Sequence, residues 1–235
     1  MSENGECQPI KAHPQLFKNR SLPFNYALKM DGLDFLSLLQ DKSVPVCFFD
    51  PQYRGIMDKM KYGNEGARQK LRAELPQMSE EVICQFIQEV SRVLIPSGHL
   101  FLWIDKFHLC EGINHWLAKT DLHVVDLITW DKQKIGMGYR TRRKSEYCLI
   151  IQKEPKKAKG VWHKHNIPDV ISEKAVSQNH AHPKPVELQK ALIEAVTQPG
   201  DIVIDPAAGT FSVMQSARET GRYFLGCDIQ TGTKN

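Results

Sequence analysis

Two short apolar runs, one near each end of the chain, stop at the same dipeptide. Val46-Cys47-Phe48-Phe49 closes on Asp50-Pro51, and Ile202-Val203-Ile204 closes on Asp205-Pro206. Runs this short and this rich in Val, Ile and Phe read as strands of a parallel sheet buried on both faces. In open α/β sheets, ligands bind beyond the carboxyl ends of the strands, where both dipeptides stand. Pro51 has no N–H to donate and holds the chain rigid, so Asp50 and the neighbouring carbonyls are presented in fixed geometry. Tyr53 adds a flat ring. Acceptors beside an aromatic platform suit a planar base with an exocyclic amino group; a plain strand-to-turn exit is the other reading of Asp-Pro.

The 235 residues suffice for one substantial α/β domain with its own core. Met1 to Pro23 reads as a loose arm ahead of a single domain over 24–235. Within that domain, Asn25 to Met30 forms a short strand and Asp31 caps a helix carrying Leu33, Phe35, Leu36, Leu38 and Leu39. Ser79 caps a helix whose stripe is Val82, Ile83, Phe86, Ile87, Val90, Val93 and Leu94, with Pro96-Ser97-Gly98 as its stop. Strands follow over His99 to Ile104, His123 to Trp130 and Tyr147 to Gln152, with a helix around Leu109 to Lys119 between the first two. Trp103 and Trp116 read as core. A helix over Val186 to Thr197 precedes the second Asp-Pro strand. The cysteines, none in a Cys-x-x-Cys motif, read as reduced and mostly buried thiols of a cytosolic protein. No apolar stretch is long enough to cross a bilayer.

The net charge of +4 matters less than where the positive charges sit. Residues 54–77 form a long polar segment that starts at Arg54 and hangs off the first Asp-Pro. Residues 131–144 form a glycine-bearing loop with Lys132, Lys134, Tyr139, Arg140, Arg142, Arg143 and Lys144, the tip of a hairpin at one sheet edge. Arg, Gly and Tyr together favour phosphate contact and base stacking. Residues 153–181 are polar and irregular, a flexible insertion contacting the substrate. His163, His165, His180 and His182 make two His-x-His pairs, but no cysteine or carboxylate cluster converges on them, so no metal site is expected.

The closing segment is a strand, a small-residue turn, a helix, and a second strand ending in Asp228. These are the parts of a nucleoside-binding βαβ unit. Ala207, Ala208 and Gly209 let a ligand approach the backbone. Asp228 can take both ribose hydroxyls. The loop is not Gly-x-Gly-x-x-Gly, and Asp205 would repel a phosphate, so a nucleoside with a cationic end fits better. S-adenosylmethionine has a sulfonium, an ammonium and no phosphate.

With these motifs the chain resembles the β class of DNA amino-methyltransferases. Asp50-Pro51-Gln52-Tyr53 is similar to their Asp-Pro-Pro-Tyr. Asp205 to Phe211 is similar in part to Asp-Pro-Phe-x-Gly-Ser-Gly, and His182-Pro183-Lys184-Pro185 to the opening of the preceding helix. The catalytic motif comes first and the cofactor motif last, the permuted order of that class. The resemblance implies a Rossmann-like methyltransferase fold: a mixed, mostly parallel seven-stranded sheet flanked by helices. It implies S-adenosylmethionine as cofactor, contacted by Asp50, His182, Lys184, Asp205, Ala207, Gly209, Thr210, Ser212 and Asp228. It makes Asp50, Pro51 and Tyr53 catalytic, with Arg54 and the basic loop on nucleic acid.

The implied reaction is methyl transfer to N6 of a flipped-out adenine in double-stranded DNA by direct in-line attack. Asp50 and the Pro51 carbonyl accept from the amino group, and Tyr53 stacks on the base. Asp rather than Ser at the first motif position follows the family's adenine tendency. N4-cytosine methylation, an RNA or small-amine substrate, and a non-catalytic nucleic-acid-binding subunit stay open as alternatives. So do a homodimer and a cognate restriction enzyme as partners, in a prokaryotic or phage-like cytoplasmic setting. Three positions depart from the family: Gln52 replaces the second proline, Ala207 a phenylalanine, and Phe211 a glycine.

Overall fold

The computed structural model describes residues 16–52, 77–136, 140–174 and 184–230. The strands are β1 (Leu28–Lys29), β2 (Val44–Phe49), β3 (Leu94–Ile104), β4 (Leu122–Asp131), β5 (Ser145–Lys153), β6 (Val170–Ser172), β7 (Ile202–Asp205) and β8 (Tyr223–Asp228). The helices are α1 (Gly32–Ser37), α2 (Glu80–Val93), α3 (Lys106–Glu111), α4 (Asn114–Leu117), α5 (Val186–Val196) and α6 (Ser212–Glu219).

One sheet of eight strands runs in the order β1-β8-β7-β2-β3-β5-β4-β6. Among the described residues only β5 runs against its neighbours, pairing antiparallel with β3 and β4. The sheet is mixed and mostly parallel, as expected, but has eight strands rather than seven. The short β6 is the strand that the irregular reading of residues 153–181 overlooked: Val-Ile-Ser is too short to show a period. It pairs with Thr129–Asp131 of β4, so the β4–β5 hairpin is not at the sheet edge.

Alternating residues of the central strands face two separate cores, the mark of a sheet covered on both sides. Cys47, Phe49, Leu100, Leu102, Ile202 and Ile204 join α1 and α2 in one core. Val46, Phe48, Phe101, Trp103 and Val203 join α5 and α6 in the other. Side chains cap α1, α2 and α5. Asp31 Oδ1 accepts from Leu33 N at 2.8 Å and Asp34 N at 3.2 Å, and Ser79 caps α2. Glu173 caps α5 from a distance, its two oxygens accepting from Glu187 N and Leu188 N at 3.1 Å each.

Three local expectations are corrected. Pro96-Ser97-Gly98 does not separate α2 from its strand: β3 begins at Leu94 and carries the three residues as a bulge, with Ser97 at φ 63. The register shows it, since Val44 pairs with Leu94 and Val46 with His99. The helix placed around Leu109 to Lys119 is two short helices broken at Gly112, whose φ is 82. The stretch read as a loose arm ends in packed chain, because Leu16 and Leu22 are buried and Phe17 bridges to Leu39.

β2 leads through α2 to β3, while β7 leads through α6 to β8, on the other side of β2. The chain therefore diverges between β7 and β2, and a crevice opens at their carboxyl ends. Val46 pairs with Val203 and Cys47 with Ile204, so both Asp-Pro turns leave the same end of adjacent parallel strands.

Candidate active site

Asp50 follows the last residue of β2 and faces a cleft of about 340 Å³. Pro51 and Gln52 line it on one side, Asp105 and Lys106 at the start of α3 on another, and Thr141 to Tyr147 of the hairpin on a third. The cleft is polar, and the cations Lys106, Lys132, Arg142, Arg143, Lys144 and Lys184 outnumber the acids Asp50, Asp105 and Glu146 in its lining.

At its base lies a chain of alternating charges. Lys184 Nζ is 3.0 Å from Asp50 Oδ2 and 2.8 Å from Glu146 Oε2. Lys132 Nζ is 3.0 Å from Glu146 Oε1. The Lys184 ammonium also stands 4.8 Å from the centre of the Trp103 ring, which gives this core residue a second use. Burial alone would lower the pKa of Lys184, but Asp50 and Glu146 more than offset it and hold it above the usual lysine range. Burial likewise opposes the charge on Glu146, yet Lys184 and Lys132 bring its pKa down to about 2. The Asp50 side chain is 44% exposed to the cleft. Desolvation at the base of the cleft raises its carboxyl above the ordinary range, Lys184 opposing and Glu146 adding to it. Sequence reasoning missed Glu146; its signal was an acid inside a strand directly after a basic run.

The second constellation lies one strand over. Asp205, 5% exposed, accepts from Ala207 N at 3.0 Å. Burial pushes its carboxyl up to about 8; the Ala207 amide opposes this, and Asp50 and Asp228 add to it. Asp228, at the end of β8, accepts from Gly209 N at 3.1 Å and from Gln230 N at 2.8 Å. The loop is tied to β8 by Ala208 N donating to Cys227 O at 2.9 Å. Its backbone is pressed close to its neighbours. A Cβ on Gly32 would stand 2.3 Å from the Pro206 carbonyl oxygen, and one on Gly226 2.4 Å from that of Asp205. Phe211, in the family's glycine position, adopts the left-handed φ of 58 that a glycine would supply. Its ring is buried against Phe224, centres 6.0 Å apart, which anchors the loop in the core. Two carboxyl groups, Asp205 and Asp228, beside an open, small-residue loop fit a ligand that brings its own positive charge.

Other expected site residues are placed unevenly. Asp50, Pro51, Lys132, Arg142, Arg143, Lys144 and Lys184 line one cleft. Lys134 and Arg140 are exposed on the hairpin. Lys144 pairs with Asp131 at 2.9 Å, and Arg142 donates to the Gly136 carbonyl at 2.7 Å. The Arg143 guanidinium lies over the Phe107 ring, 5.7 Å from its centre. Thr210 is exposed on the cofactor-type loop. Ser212 is buried and accepts from Gln189 Nε2 at 3.1 Å, so its hydroxyl faces α5. Tyr53, Arg54, Tyr139 and His182 lie outside the described residues. Among the described residues no His, Cys, Asp and Glu cluster could hold a metal ion, and no helix is long and apolar enough to cross a membrane.

In this mostly parallel sheet two acid-tipped loops meet at the switch point, where open α/β sheets take their ligands. The family model N6_N4_Mtase, DNA methylase, matches residues 44–235, and the chain belongs to that family of DNA methyltransferases. The chain is 61% identical over 206 residues to the Type II methyltransferase M.HhaII of Haemophilus parahaemolyticus, covering 87% of this chain and 90% of that one. It is 25% identical to the Type II methyltransferase M1.MboII of Moraxella bovis, covering 88% and 93%. The fold is shared with the M1.HpyAVI–SAM complex, with a TM-score of 0.62 at 19% identity over 87% of this chain and 92% of that one. It is shared too with PvuII DNA methyltransferase (cytosine-N4-specific), with a TM-score of 0.66 at 14% identity over 87% and 81%.

Proposed function

We propose that this DNA methyltransferase transfers a methyl group from S-adenosylmethionine to N6 of a flipped-out adenine in duplex DNA. The observation that carries the reading is the pairing of β2 with β7, from which Asp50-Pro51 and Asp205-Pro206 exit side by side. When bound, S-adenosylmethionine supplies an electrophilic methyl on a sulfonium. Asp205, Gly209 and Asp228 form its seat: the two carboxylates balance positive charge and Asp228 takes ribose hydroxyls, while the open backbone at Gly209 admits the ligand. Ala207 and Thr210 border that seat; the family resemblance adds His182 as a cofactor contact and Tyr53 as the ring that stacks on the base.

The exocyclic nitrogen of adenine is a poor nucleophile because its lone pair is delocalised into the ring. Asp50 and the Pro51 carbonyl accept its hydrogens and localise that pair as positive charge develops. Preorganised polar groups of this kind contribute about 3–4 kcal/mol each. Asp50 rather than Ser at this position favours adenine. The hairpin cations Lys132, Lys134, Arg140, Arg142, Arg143 and Lys144, with Arg54, hold phosphates and position the duplex without reading sequence. Residues 24–235 act as one methyltransferase domain, with 54–77, 131–144 and 153–181 as its target-recognition segments. A cytoplasmic setting with a cognate restriction enzyme, and pairing of two copies, complete the reading.

Incubation with labelled S-adenosylmethionine and duplex DNA, followed by mass spectrometry of the digested nucleosides, tests it. N6-methyladenine is the expected product. N4-methylcytosine would overturn the base assignment, and no transfer at all would overturn the activity.

A further inference from the structure

We infer that Glu146 is a positioning residue for the methyl-transfer reaction, acting on Asp50 through Lys184. The inference rests on the reading of Asp50 as acceptor of the target amino group.

The geometry is specific. Both oxygens of Glu146 are taken: Oε1 by Lys132 at 3.0 Å and Oε2 by Lys184 at 2.8 Å. The carboxylate is thereby fixed from two sides, on a strand in the middle of the β3-β5-β4 ladder. Lys184 is divided between Glu146 and Asp50 Oδ2, which it reaches at 3.0 Å, while the Trp103 face lies against its ammonium. An ammonium on Asp50 has two opposing effects. It keeps the carboxylate ionised, and it weakens that carboxylate as an acceptor for a nitrogen gaining positive charge. The balance is set by how much of the Lys184 charge another anion takes up, and among the described residues Glu146 is the other carboxylate bonded to it. Glu146 thus keeps Lys184 close enough to orient Oδ2 and far enough to leave Asp50 a strong acceptor. Without Glu146, Lys184 closes on Asp50 alone.

The test is a double-mutant cycle read by single-turnover methylation, with S-adenosylmethionine and DNA affinities measured separately. Glu146→Gln lowers the transfer rate by about 10²-fold, the scale of misplacing a reacting group. Both affinities stay within about fivefold, the scale of a partly exposed ion pair. Glu146→Asp, which keeps the charge, recovers part of the rate. In a Lys184→Met background Glu146→Gln has no further effect on rate, because the residue through which it acts is gone. A wild-type rate for Glu146→Gln, a loss confined to DNA affinity, or rate losses that multiply in the double variant would each overturn the inference. Should either Lys184→Met or Glu146→Gln fail to fold, Glu146→Asp decides: a loss of rate at unchanged affinities supports the inference, and a wild-type rate overturns it. Asp50→Asn is run alongside. If it keeps the wild-type rate, the reading of Asp50 itself fails; if it is inactive while Glu146→Gln is normal, only the role of Glu146 fails.

Discussion

Lys184 Nζ and Asp50 Oδ2 are 3.0 Å apart, and among the described residues Lys184 is the cation paired with the Asp50 carboxylate. A lysine just before α5 is thus paired with an acid just past β2, across the crevice where the sheet changes direction. The family membership explains the parts. The ion pair shows how this chain joins the segment before α5 to the strand that carries the acid.

In the proposed cofactor seat, Asp205 makes affinity for S-adenosylmethionine depend on pH. Its carboxyl stands at about 8 in the folded chain, against about 3.9 for a free aspartate. Between those values the folded chain holds a proton that the unfolded chain has released, so stability without ligand falls as pH rises. A cation seated beside Asp205 favours the ionised form. Affinity for S-adenosylmethionine therefore rises with pH up to about 8, and binding near neutrality releases a proton. Calorimetry in buffers of different ionisation enthalpy checks this, and Asp205→Asn abolishes the proton release.

Phe211 carries two opposed effects that mutation separates. Truncating the buried ring to Ala costs about 3–5 kcal/mol. Phe211→Gly loses the same ring but relieves a left-handed backbone worth about 1–2 kcal/mol. The glycine variant is therefore the more stable of the two, although it is smaller. Denaturant unfolding of both variants measures the order.

The hairpin cations are not equal. Lys134 and Arg140 are exposed, while Lys144 is paired with Asp131. Lys134→Ala and Arg140→Ala each weaken DNA binding across sequences and reduce the salt slope by about 1. Lys144→Ala changes the slope less, because its charge is already shared. Binding titrations across a salt series distinguish them.

Much of the fold was legible because two buried parallel strands announce themselves as apolar runs, and because Asp31 and Ser79 are strong caps. The acids at the strand ends marked the crevice, since topology brings such ends together whatever lies between. What the sequence hid has physical causes. A proline, a serine and a glycine in a row signal a helix stop, yet here they form a bulge inside β3. Three residues cannot display a period, so β6 was invisible. Glu146 offered only an acid after a basic run, because its partners, Lys132 and Lys184, meet it only once β5 is sandwiched between β3 and β4. Phe211 looked like a departure from the glycine path, but the backbone keeps the left-handed turn and the ring fills the core.

Single-turnover methylation by Asp50→Asn, with S-adenosylmethionine binding measured on the same preparation, tests the proposed role of Asp50 as acceptor of the target amino group. The rate falls by at least about 10²-fold, the scale of removing one preorganised group, while cofactor binding is retained. A wild-type rate in that variant would show that Asp50 does not activate the target nitrogen.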